Sequence, residues 1–243
     1  MKAMLDPIKT DSLKDVFIAR FEELILSGKL SIGQRLPSER ELALQLGVSR
    51  PVVHEGLVDL EFKGLVSMKP RVGTVVNDYR RQGSLALLTS LVNYRRGLFE
   101  PRLLASMLQM RMLFEIETAR LAAHCRSDAQ LAELRDLLKR EQSAERTDIA
   151  YITELDFELH HMVALASDNM IYPLVINSFK QVYTNLTGLF FSEPAVVEQV
   201  FAFHRELVEA IAAQDEQRAA QQMQRILEHG AEHLGSIILK QQG

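Results

Sequence analysis

Between residues 33 and 76 the chain carries start and stop signals for two helices and a hairpin in quick succession. Ser38 precedes an apolar run and Glu41 follows three residues later, the spacing of a capping box. Leu42, Ala43 and Leu46 continue at helical spacing, and Gly47 ends the run because glycine adopts a left-handed C-cap at little cost. After Val48, Ser49 caps a second helix, with Pro51 tolerated in its first turn, where a missing N–H loses no helical partner. Val52, Val53, Leu57 and Leu60 mark its buried side, and Gly64 stops it. Leu65, Val66 and Met68 then face Thr74, Val75 and Val76 across Lys69, Pro70, Arg71 and Gly73, which reads as a short hairpin with a basic turn. Helix, tight turn, helix and hairpin make a winged helix-turn-helix. Leu13, Phe17, Phe21, Leu24 and Ile25, with Gly28 as terminator, supply an earlier helix of the same domain.

That arrangement places Ser49, Arg50 and His54 near the end of the second helix that meets base edges, and Lys69 and Arg71 on a wing that reaches phosphate or the minor groove. The opposing reading is a small helical domain that stabilises an enzyme or binds a protein. Charge does not decide between them. Residues 1–80 hold 12 Lys and Arg against 11 Asp and Glu, while the whole chain carries −4. Sequence-independent attraction to DNA is therefore modest, and specificity rests on a few placed side chains and on dimerisation.

The length of 243 residues accommodates two ordinary domains. An apolar fraction of 47% with 25% charged residues is typical of a soluble globular chain, and no run of about 18 apolar residues is present to span a membrane. The opening MKAMLDPIKTDSLKD has acids and no apolar core, unlike a signal peptide. One cysteine, Cys125, permits no intrachain disulfide and fits a cytoplasmic location; its helical, apolar setting predicts core filler. Residues 77–97 read as a connector containing a short apolar helix over 85–94. The expected division is a winged domain over 1–78, a linker over 79–100 and a helical domain over 101–243.

Glycine and proline thin out after Pro101, and helical periodicity persists to the end. The fold class is mainly α, with the winged domain followed by a bundle of about six helices over 103–125, 128–144, 148–167, 171–191, 195–213 and 215–240, several opened by Asp128, Asp148 or Asp215. Within the bundle, Asp156 and His160 are four residues apart and project from one helix face, and His204 on a later helix closes a set suited to a borderline divalent cation. The plain alternative is an i,i+4 pair with no metal. Arg111 likewise has two readings: a guanidinium that fixes an effector carboxylate, or an ion pair with Glu115. Asn169 is either a helix-terminal cap or a cavity contact.

RLPSERELALQLGVSRPVVHEGLVDLEFKGLV followed by RVGTVV resembles the DNA-binding domain of GntR-type bacterial transcription regulators. The resemblance implies phosphate and base contacts from Arg40, Ser49 and Arg50, with Arg50 reading guanine and Arg71 and Gly73 along the minor groove. It also exposes two departures: His54 stands where the family usually has arginine, and Gly56 where it usually has alanine or valine. The second half resembles the all-helical effector domain called FCD, found in the FadR-like branch. Arg111 with Glu115, Asp156–Phe157–Glu158–Leu159–His160 and the segment from His204 to Ile211 carry that resemblance. It implies a divalent metal (Zn, Ni or Mn) on Asp156, His160, His204 and a third histidine, and a small carboxylate effector that reaches it. Ile226 occupies the position expected for that third histidine; His229, one turn on, is the substitute. The implied protein is a homodimeric repressor that binds a double-stranded operator and releases it on binding effector. A DNA-binding protein whose helical half only dimerises, and a metal-dependent enzyme, are the competing readings; against the enzyme, no H-E-x-x-H, phosphate loop or nucleophile elbow is present.

Overall fold

The computed structural model describes residues 12–93 and 101–242. The chain divides after residue 97 into two compact units. Among the described residues it forms twelve helices and one two-stranded sheet.

The first unit is built on α1 (Leu13–Leu26), α2 (Glu39–Leu46) and α3 (Arg50–Phe62), followed by β1 (Val66–Lys69) and β2 (Gly73–Val76). The capping box forms as the spacing predicts: the Ser38 hydroxyl accepts from the Glu41 amide and the Glu41 carboxylate accepts from the Ser38 amide. Gly47 closes α2 in the left-handed region, at φ 67°, and Ser49 caps α3. Phe17, Phe21, Leu42, Val53, Leu57, Leu60, Leu65 and Val76 make one core. Leu13, expected on the buried stripe of α1, is exposed because it opens the helix a turn before the core begins. Gly64, at φ 78°, has the Gln82 carbonyl oxygen where a Cβ would stand, so the turn after α3 admits no side chain.

The hairpin pairs Val66 with Val76 and Lys69 with Gly73. The wing has a further member that the sequence pattern did not single out. Residues 33–36 run beside β2, with Gly33 N–H donating to Val76 O at 2.8 Å and Leu36 N–H to Thr74 O at 2.9 Å. A hairpin of this length is marginal alone, and the extra backbone bonds brace it. After Asn77, the single turn α4 (Tyr79–Gln82) and α5 (Leu87–Asn93) belong to this same unit. Leu87 joins its core, and Ser90 donates to the Glu22 carboxylate at 2.6 Å.

The second unit contains α6 (Pro101–Cys125), α7 (Asp128–Ser143), α8 (Ile149–Ala166), α9 (Tyr172–Ser178), α10 (Lys180–Phe190), α11 (Pro194–Ala212) and α12 (Glu216–Gln242). α8 is buried on nearly every side, although Thr153, Glu154, Asp156, Glu158, His160 and His161 interrupt its apolar sequence, and α6, α7, α9 and α10 pack around it. α12 lies along α6 and α11. Three expectations need correction. The single helix over 171–191 is two helices, broken at Phe179 (φ −97°, ψ −2°). Asn177 and Ser178 just before the break compete with the backbone for hydrogen bonds, and Ser178 donates to Leu174 O at 2.7 Å. Cys125 is exposed, because it ends α6 off the stripe of Ala119, Ala122 and Ala123 that enters the core. Ser127, in a capping box with Gln130, rather than Asp128, caps α7.

Candidate nucleic-acid interface and metal centre

On the first unit, Arg40, Ser49, Arg50 and His54 are all exposed, on the side of α2 and α3 away from the core. Lys69 and Arg71 project at the hairpin turn, where Arg71 adopts φ 63°. Arg35 comes within 3.2 Å of the position a Cβ would take on Gly73, adding a third cation to the wing from the bridging segment that the sequence pattern missed. The Ser49 hydroxyl accepts from the Val52 amide, so its cap and any DNA contact share one oxygen.

The recognition surface contains one acid that sequence reasoning passed over as part of a helix start. Glu39, the first residue of α2, accepts from His54 Nδ1 at 2.8 Å through one oxygen, and its other oxygen lies 3.5 Å from Arg50 Nη2. The bond from His54, aided by Arg50, holds the Glu39 carboxyl below its usual range. Two groups of α3 that point toward solvent are thereby tied to α2.

In the second unit, α8 brings Asp156 and His160 together on one face, and α11 brings His204 against them. All three are buried, and one ligand atom from each lies within 4.8 Å of the others. The two rings are oriented alike. His160 Nδ1 donates to Glu115 of α6, and His204 Nδ1 donates to Glu141 of α7 at 2.6 Å. A carboxylate only accepts, so Nδ1 of each ring carries a proton, and each ring when neutral presents an Nε2 lone pair. Neither Nε2 has a hydrogen-bond partner, although both are buried. His204 Nε2 stands 3.5 Å from Asp156 Oδ1, and Tyr183 Oη donates to Asp156 Oδ2 at 2.6 Å. Unpartnered buried acceptors are costly, whereas imidazoles oriented by carboxylates are the usual surroundings of a bound metal. Two nitrogens and a carboxylate oxygen suit a borderline cation and leave coordination positions open. The residues present fit a divalent metal.

Of its two sequence readings, Arg111 takes the ion pair with Glu115. Its Nε donates to Glu115 at 2.6 Å and its Nη2 to Tyr183 Oη at 3.2 Å, while the guanidinium carbon lies 4.3 Å from the centre of the Tyr183 ring. Burial alone would raise the Glu115 carboxyl, but Arg111 and His160 outweigh it and hold it at about 2. Burial also favours neutral His204, yet Glu141 prevails and its pKa is raised, so taking up a metal there releases a proton. Arg111 and Glu115 wall a recess otherwise apolar, formed by Met107, Met110, Phe114, Ile176, Phe179, Tyr183 and Leu186.

The remaining sequence candidates lie elsewhere. His229 is not among the clustered ligands: it packs edge-on against Phe190 and Phe203, and its ring centre is 4.4 Å from that of His233. Ile226 is buried. Asn169 Oδ1 accepts from the Ile171 and Tyr172 amides at 2.9 and 3.2 Å, ordering the turn into α9. Glu141 and Tyr183 escaped notice in the sequence, though Glu141 left a trace: it continues the buried stripe of Leu131, Leu134 and Leu137, where an apolar residue is expected.

Comparison with known proteins finds one family model on each half of the chain. Residues 14–76 match the model for bacterial regulatory proteins of the gntR family, and residues 77–238 match the FadR C-terminal domain. The HTH-type transcriptional regulator Mce2R of Mycobacterium tuberculosis is 30% identical over 98% of both chains. A fatty acid metabolism regulator protein of a Shewanella species is 29% identical over 75% of this chain and 73% of its own. Among solved structures, Lar of Listeria monocytogenes superposes with a TM-score of 0.65 at 16% identity, over 94% of this chain and 99% of its own, a likeness of fold. Among the described residues no helix is long and apolar enough to cross a membrane.

Proposed function

Since the chain belongs to the GntR family of bacterial regulatory proteins and carries a FadR C-terminal domain, it is a DNA-binding transcriptional regulator rather than an enzyme, and we propose that it is a repressor whose helical unit takes a divalent metal and a small carboxylate effector. The observation that carries this reading is the pair of buried, unpartnered Nε2 atoms of His160 and His204 beside Asp156. Asp156, His160 and His204 would hold the cation, which when bound supplies a Lewis-acid anchor for an acid group. Glu115 and Glu141 keep both imidazoles turned toward it. Arg111 meets the effector's carboxylate from the recess side; the recess as it stands, about 20 Å³, has room for about one water, so Met107, Met110, Phe114, Phe179 and Leu186 must part to take its apolar part. The side chains of Arg111 and Glu115 belong to both metal centre and recess, so filling one bears on the other.

In the first unit, Arg50 and His54 face base edges, Arg40 and Ser49 face the backbone, and Lys69, Arg71 and Gly73 follow the adjacent groove. Two copies of the chain read a two-fold operator, because one near-neutral head makes too few phosphate contacts for high affinity. Effector and operator are then linked: each changes the other's affinity by the same factor. Selection of random duplexes with the purified full-length chain tests the DNA half of this reading. The expected product is a two-fold symmetric sequence with half-sites about one helical turn apart. Recovery of a single asymmetric half-site, bound one chain per duplex, would overturn the dimeric reading.

A further inference from the structure

We propose that Glu39 is a positioning residue that fixes the tautomer of His54, so that His54 offers Nε2 to the major groove as a hydrogen-bond acceptor and selects a base carrying an exocyclic amine, adenine or cytosine. The inference rests on α3 entering the groove, and it assigns the chemistry of one base contact within that reading.

The geometry leaves one proton arrangement for the neutral ring. Glu39 Oε1 stands 2.8 Å from His54 Nδ1, and a carboxylate accepts but does not donate. Nδ1 therefore carries the hydrogen, and Nε2 carries the lone pair. The His54 side chain is 56% exposed while its Nδ1 edge is held by Glu39, itself 29% exposed. Glu39 is itself held from two sides, by His54 and by Arg50 one turn earlier on α3. Among the described residues, Glu39 from α2 is the charged group in contact with His54, and Arg50 of α3 is its neighbour through that carboxylate.

In the major groove adenine N6 and cytosine N4 donate, whereas guanine N7 and O6 and thymine O4 accept. A lone pair on Nε2 matches the first two and repels the others. An arginine at the same place would offer donors alone and match guanine.

The test uses the full-length chain and an operator selected from random duplexes. Affinity is measured for duplexes carrying each base pair at each half-site position. The proteins compared are the parent chain, His54→Ala, His54→Arg and Glu39→Gln. At one position the parent chain should favour adenine or cytosine about three- to tenfold, the worth of one uncharged hydrogen bond. That preference should disappear in His54→Ala and become guanine in His54→Arg. Glu39→Gln should bind DNA but blur the preference, because an amide can accept from or donate to Nδ1 and so admits both tautomers. An unchanged preference in Glu39→Gln would overturn the proposal, as would a uniform loss across all duplexes in His54→Ala, the mark of a phosphate contact. A chain that selects no sequence would overturn the underlying DNA reading, and the proposal with it.

Discussion

Replacing Gly56 with alanine sets two effects against each other, and the structure says which prevails. Gly56 lies inside α3, where alanine is favoured over glycine by about 1 kcal/mol on helix propensity. Propensity alone therefore predicts a more stable protein. The added Cβ would, however, stand 2.3 Å from Phe17 Cδ1 and 2.8 Å from its Cε1. Carbon atoms prefer a separation of about 3.5–4.0 Å, so ring and helix must part by more than an ångström. Phe17 is buried and stacks on Phe21 at 4.4 Å between ring centres, which blocks its retreat. Overpacking of this kind costs about 1–3 kcal/mol, enough to cancel the propensity gain and in most of that range to exceed it. The net expectation is a loss of about 1–2 kcal/mol, at the upper part of that range. Chemical denaturation of the full-length chain, followed on the transition of the first unit, measures it. Phe17→Leu in combination with Gly56→Ala should recover part of the loss, since the pair is coupled through a shared contact. Stabilisation by Gly56→Ala of about 1 kcal/mol would refute the packing argument and leave propensity as the sole determinant.

Two further outcomes follow from the sites. Arg50→Ala should abolish discrimination between operator and random duplex while leaving the thermal midpoint unchanged, because the side chain is exposed and its contact is with Glu39 at the surface; competition binding checks it. Glu141→Gln should weaken metal affinity about 10- to 100-fold, since an amide no longer commits His204 to a proton on Nδ1, and this is read by metal titration of the stripped protein.

The first unit was legible in the sequence because its signals are local. A serine three residues before a glutamate, a glycine after an apolar run and a proline in a first turn each act within one helical turn, and Ser38, Gly47 and Ser49 take the conformations those signals require. Arg35 and Glu39 were not legible, because the bridge of Arg35 to Val75 exists through pairing with β2, and the role of Glu39 arises from a side chain 15 residues away. In the second unit the spacing of Asp156 and His160 showed a shared helix face, but not that Glu115 and Glu141 orient the histidines from two other helices. Glu141 carries a local clue in its place on the leucine stripe of α7; Tyr183 carries none. The break at Phe179 escaped because the apolar periodicity runs on through it, and the exposure of Cys125 because periodicity near a helix end does not say where the core stops.

The central claim is that a ligand site in the helical unit sets the DNA affinity of the winged unit. Operator affinity of the metal-stripped full-length chain, measured with and without zinc and a series of straight-chain monocarboxylates, tests it most directly. The account predicts that zinc with at least one acid changes operator affinity by roughly 5- to 150-fold, that operator changes zinc-and-acid affinity by the same factor, and that Asp156→Asn removes the effect without unfolding the chain. Operator affinity identical in all of these conditions, with zinc bound as tightly by Asp156→Asn as by the parent chain, would contradict it.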